Sequence, residues 1–150
     1  MAGREEILLW EFLTRWDADK PLDFAADYAR QRRKHKLPVH PVMLLLTPSS
    51  DCREEYEDER LWFKMILVRV WELEAREVLE SAVAELLPLV PLMRGGVEKA
   101  QEVKKRLVGS GLGRRLRSDL LTIFVTFLGL RKRRLAEHIK RSLHDVMIDS

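Results

Sequence analysis

The chain has 150 residues, 46% hydrophobic and 34% charged, which suits one domain with a moderate core and excludes a disordered chain. A single cysteine, Cys52, excludes an internal disulfide framework and fits a reducing, cytoplasmic setting. The net charge of +3 is unevenly placed: residues 1–91 hold 13 Lys/Arg against 18 Asp/Glu, and residues 92–150 hold 14 against 6, so the second part is either a surface for phosphate backbones or the solvated face of a helical bundle.

The acids Glu5 and Glu6 argue against an export signal at the start of the chain. Residues 6–15 then read as a strand, with a helix as the alternative for so short an apolar run. Alternation puts Ile7, Leu9, Glu11 and Leu13 on one face and Leu8, Trp10, Phe12 and Thr14 on the other. Both faces are apolar, as in a central strand covered on both sides. A carboxylate inside such a strand is costly unless it is paired or binds a metal, which makes Glu11 the first functional candidate. The bland reading of the same residue is a buried acid paired with an arginine.

Asp17-Ala18-Asp19-Lys20-Pro21 predicts a helix start, with Asp19 or a neighbour as cap and Pro21 in the first turn. The helix is expected over residues 21–36, with Leu22, Ala25, Ala26 and Ala29 inward. Its acids lie early and its bases late, matching the helix dipole. The basic run Arg30-Gln31-Arg32-Arg33-Lys34-His35-Lys36 is either a grip on DNA phosphates, through Arg30, Arg33 and Lys34, or a solvated helix end. Pro38 and Pro41 stop the helix, and residues 42–47 predict a second buried strand. Strand, helix, strand in that order suggests a right-handed parallel crossover.

Residues 48–60 read as an acidic loop and residues 62–71 as a third strand, with Lys64 and Arg69 on opposite faces as at a sheet edge. A helix is expected over 74–87, with Val78, Leu79, Ala82, Val83, Leu86 and Leu87 inward. The two prolines of the apolar connector 88–93 prevent a continuous helix, and Gly95-Gly96 closes it. Three helices complete the chain. Val97, Ala100, Val103 and Leu107 face inward in the first. Ser118 caps the second, which runs to Leu128. Leu135, Ile139, Leu143, Val146 and Met147 face inward in the third. The longest apolar run, residues 120–130, is too short for a bilayer span, so no membrane partner is expected.

His35, His40, His138 and His144 are scattered, and no zinc-type set, phosphate loop or nucleophile elbow is present. An acidic Mg²⁺-type site would need two or three converging carboxylates, of which Glu11 is one.

The succession Leu8-Leu9-Trp10-Glu11-Phe12-Leu13-Thr14-Arg15, Asp17-Ala18-Asp19-Lys20-Pro21-Leu22, Tyr28-Ala29-Arg30 and Leu37-Pro38-Val39-His40-Pro41-Val42 resembles the bacterial recombination-promoting nuclease/transposase family. That family lies within the PD-(D/E)XK nuclease superfamily. Leu86-Leu87-Pro88-Leu89-Val90-Pro91-Leu92 resembles its apolar connector, and Gly129-Leu130-Arg131 with the helix that follows resembles its C-terminal part.

The resemblance implies an α/β fold: a short mixed sheet of three or four strands with a crossover helix over residues 1–93, then a helical region over 94–150 packed with it as one unit. It implies a DNA endonuclease whose strand carries Glu-x-Gln or Glu-x-Lys, the glutamate binding Mg²⁺ and the Gln or Lys positioning or activating water. Glu11 falls on the metal and catalytic position, but Leu13 falls on the Gln/Lys position and can neither donate a hydrogen bond nor carry charge. The family's metal-binding aspartate lies on a preceding strand, for which there is no room before Glu11.

A degenerate or truncated member is therefore expected, without efficient DNA cleavage and retaining DNA or partner binding. The first alternative is an Mg²⁺-dependent endonuclease with a relocated site, using Glu11 with Asp17, Asp19 or Asp23. The second is a non-catalytic interaction protein that forms a homo-oligomer through an exposed sheet edge.

Overall fold

The computed structural model describes residues 4–81 and 83–149, with side chains described as far as residue 144. The fold is mixed α/β with a small parallel sheet and C-terminal helices. It divides into two compact units, Met1–Arg69 and Val70–Ser150.

In the first unit, strand β1 (Ile7–Leu13) is followed by helix α1 (Lys20–His35) and strand β2 (Val39–Leu45), and β1 and β2 pair in parallel as expected. The register sets Trp10 beside Val42, Glu11 beside Met43 and Leu13 beside Leu45. The expected third strand is divided. Its first half, β4 (Trp62–Lys64), turns back antiparallel on β3 (Glu55–Glu57), which lies inside the expected acidic loop. Its second half, β5 (Ile66–Arg69), joins β2 in parallel. The division falls at buried Met65, whose N–H donates to the Glu54 carbonyl at 2.9 Å. Alternation continues through the division: Phe63, Met65 and Leu67 are buried, and Trp62, Lys64 and Ile66 are exposed. Instead of one mixed sheet, the unit holds a purely parallel sheet of order β1-β2-β5 and a separate antiparallel pair.

That order corrects the placement of β1. It is an edge strand, not a central one, and Leu8, Trp10 and Phe12 are 58, 50 and 55% exposed. Apolar character on both faces does not report strand order, so the pattern suited a central strand equally well.

Helix α1 carries Pro21 in its first turn, and Asp19 is its N-cap residue without a side-chain cap bond. The Asp17 carboxylate instead accepts the Asp19 N–H at 2.9 Å. The helix ends on Lys36 in the left-handed region (φ 56°), whose N–H donates to the Arg32 carbonyl. The inward face differs from the expected one. Pro21 and Phe24 are buried, whereas Leu22, Ala26 and Ala29 are exposed and Ala25 is half-buried. The Phe24 and Tyr28 rings both pack on Phe63 of β4, at centroid distances of 6.2 and 5.6 Å. An aromatic face buries more area than an alanine face, and this rotates the helix.

In the second unit, a 3-10 turn (Val70–Glu72) leads to a short helix α2 (Ala75–Glu80). The helix expected over 74–87 stops at Ser81, whose hydroxyl donates to the Val78 carbonyl at 2.6 Å and accepts the Val83 N–H. Val83 and Leu86 are exposed, Val78 and Leu79 are half-buried, Leu87 is buried, and Ala82 lies outside the described residues. The connector forms a 3-10 helix (Ala84–Leu92) containing Pro88 and Pro91. Gly96 is required where it stands, because a Cβ there would lie 1.6 Å from the Val90 carbonyl oxygen.

Helix α3 (Ala100–Val108) follows a 3-10 turn (Val97–Lys99) and buries Ala100, Val103 and Leu107 as expected, with Val97 half-buried. Helix α4 (Arg114–Gly129) begins a turn before Ser118, on Gly113, so Ser118 is interior rather than a cap. Leu120, Leu121, Phe124 and Leu128 are its core face, set against the connector and against α5 (Arg133–Asp149). In α5, Ile139 and Leu143 are fully buried and Leu135 is half-buried, while Val146 and Met147 lie outside the described side chains. Among the described residues no helix is long and apolar enough to cross a membrane.

Candidate functional site

Glu11 projects from the middle of β1 on the face it shares with Ile7, Leu9 and Leu13. It is half-exposed rather than buried. The expected cost of a charge enclosed in a sheet is therefore absent, and the physical reason is the edge position of β1. Among the described residues no hydrogen bond or ion pair reaches the Glu11 carboxylate, and no group of three or more His, Cys, Asp or Glu side chains is placed to hold a metal ion. The residues present do not fit an Mg²⁺ centre of the expected kind, which needs converging carboxylates.

Leu13, two residues on, is 8% exposed and packs in the core, with its carbonyl accepting the Leu46 N–H at 2.9 Å. Of the acids considered as relocated partners, Asp17 is engaged in the turn before α1, Asp19 is the N-cap residue and Asp23 lies exposed in the first helical turn.

The basic end of α1 is a second candidate. Arg30, Arg33 and Lys34 stand at helical spacings of three and four, on one exposed face. The Arg30 guanidinium pairs with Asp27 one turn earlier. Arg32 is turned elsewhere, donating to the Leu37 carbonyl at 2.9 Å and so closing the loop into β2. In the other basic run, Arg131 is structural: it donates to the carbonyls of Pro91 and Met93, both at 3.2 Å. Arg133 pairs with Glu137 at 3.6 Å.

The clearest electrostatic device lies in the β3–β4 turn. The Asp58 carboxylate accepts the N–H groups of Arg60 and Leu61, each at 2.8 Å, and the Tyr56 hydroxyl at 2.9 Å. The two backbone donors, then the tyrosine, hold Asp58 below the usual carboxylate range, and the same hydrogen bond raises the Tyr56 hydroxyl. An open concavity of about 690 Å³ beside this turn is lined by Arg53, Glu54, Glu55, Glu57 and Asp58. It is acidic and exposed and does not include Glu11.

An exposed sheet edge was expected from the sequence, but not that β1 itself forms it: alternation places Leu8, Trp10 and Phe12 on one face, and all three are at least half-exposed on this edge strand. In the same row across the sheet, Ile66 of β5 is 52% exposed and flanks buried Val42 on the far side from Trp10.

No family model, curated protein or solved structure matches the chain.

Proposed function

We propose that this chain is a degenerate relative of the PD-(D/E)XK recombination-promoting nuclease/transposase family, one that binds DNA without cleaving it efficiently. The observation that carries this reading is the pair Glu11 and Leu13. On the resemblance the carboxylate stands at the metal position, and among the described residues it belongs to no group of three or more His, Cys, Asp or Glu side chains placed to hold a metal ion. The neighbouring position, where water would be activated, is a leucine committed to the core. The parallel strand–helix–strand order with Glu11 on its first strand supports the kinship.

DNA binding is assigned to Arg30, Arg33 and Lys34, a charged face at the end of a helix whose dipole favours cations there. Mg²⁺ would serve only a cleaving form of the site.

The test is binding of a fluorescent duplex across a salt series. Three phosphate contacts predict a slope of log K against log salt of about −2.7 from these residues, lost when all three are replaced by glutamine. Equal salt dependence in the variant would overturn the assignment.

A second reading, self-association through a sheet edge, is favoured by a separate observation. The outer edge of β1 is unpaired among the described residues, and its apolar side chains are exposed.

A further inference from the structure

The structure assigns the occupant of the β1 edge: a second copy of β1, antiparallel, on a two-fold axis through Trp10. This rests on the self-association reading and adds a register to it. The Ile7 N–H donates to the Pro38 carbonyl, and the Leu13 carbonyl accepts the Leu46 N–H. The odd-numbered residues of β1 therefore spend their backbone groups on β2. The N–H and C=O groups of Leu8, Trp10 and Phe12 point outward, and their side chains stand together on one exposed face.

Only even-numbered residues can exchange hydrogen bonds with an antiparallel neighbour at this edge, which leaves few registers. With Trp10 opposite Trp10 of the second copy, Leu8 meets Phe12 at both ends. Three residues from each copy then form one apolar ridge, continued across each sheet by Val42 and Ile66. On the other face Glu11 meets Leu9. Just beyond the strand ends, Glu5 comes opposite Arg15, twice by symmetry.

The adjacent registers are poorer. Moving the axis to Glu11 sets two carboxylates directly opposite each other, which repel. Moving it to Leu9 places Glu6 opposite Phe12, whereas the axis at Trp10 sets Glu6 opposite Thr14. Charge and apolar pattern thus agree on one self-complementary register, the property that a two-fold interface requires.

The test is sedimentation of the full chain over a concentration range, combined with cysteine pairing in a Cys52→Ser background. The chain is expected to dimerise. Trp10→Pro deletes an outward N–H and no bond to β2, and is expected to shift the protein to monomer with an unchanged circular dichroism spectrum. Leu8→Cys mixed with Phe12→Cys is expected to give a mixed disulfide, since hydrogen-bonded antiparallel partners lie about 5.5 Å apart at Cα, within disulfide reach. Neither variant alone is expected to cross-link, because each cysteine would lie about 14 Å from its own copy along the strands. A dimer without the mixed disulfide would overturn this register and leave self-association standing. A monomer at every concentration would overturn both.

Discussion

Glu11 and Leu13 share a face of one strand, yet one is half-exposed and the other is in the core. The difference bears on the chemistry available here: among the described residues Glu11 belongs to no group of three or more acids, histidines or cysteines that could hold a divalent cation. The residue types were legible in the sequence: Leu13 stands where the family that the chain resembles carries Gln or Lys. The exposure of Glu11 was not, since it depends on which strand lies beside β1.

Asp58 makes the sharper electrostatic prediction at this scale. Its carboxylate is held below the usual range chiefly by the Arg60 and Leu61 N–H groups. The unfolded chain therefore binds its proton more readily, and the contribution of Asp58 to stability is present above the unfolded value and lost as pH falls through the folded one. A carboxyl titration followed by NMR is expected to place Asp58 below the usual carboxylate range, with the protection of the Arg60 and Leu61 amides lost as Asp58 takes up its proton. Titration within or above that range would contradict the turn geometry.

Among the elements, long periodic patterns were readable and local turns were not. Helix α1, the parallel strand pair, the buried face of α3 and the buried Ile139 and Leu143 of α5 followed from local signals and spacing. The strand over 62–71 and the helix over 74–87 were each broken by hydrogen bonds that hydrophobic pattern does not encode: Met65 to Glu54, and Ser81 to its own helix. The inward face of α1 turned on the competition between an alanine stripe and Phe24. Phe24 is 2% exposed and set edge-on to Phe63. Phe24→Ala is expected to cost about 3–5 kcal/mol in urea unfolding, whereas Ala26, on the opposite face, should tolerate a serine within about 0.5 kcal/mol. Equal costs at the two positions would place the helix face wrongly.

At the scale of the molecule, the charge asymmetry read from the sequence resolves into particular duties. Of the basic residues in the second half, Arg106 holds the Leu79 carbonyl at 2.7 Å and Arg131 holds two connector carbonyls. Part of that excess therefore fastens chain to chain. The first unit, acidic in sum, concentrates its cations at the end of α1, and it is there that the account places DNA. The same unit offers an exposed strand edge to a second copy.

In the function proposed above, DNA binding has outlived cleavage. The direct measurement is incubation of supercoiled plasmid with Mg²⁺ or Mn²⁺ and either the native chain or Glu11→Ala. No metal-dependent nicking above background by either protein is the predicted result. Efficient nicking by the native chain that disappears with Glu11→Ala would contradict it and establish Glu11 as part of a working site.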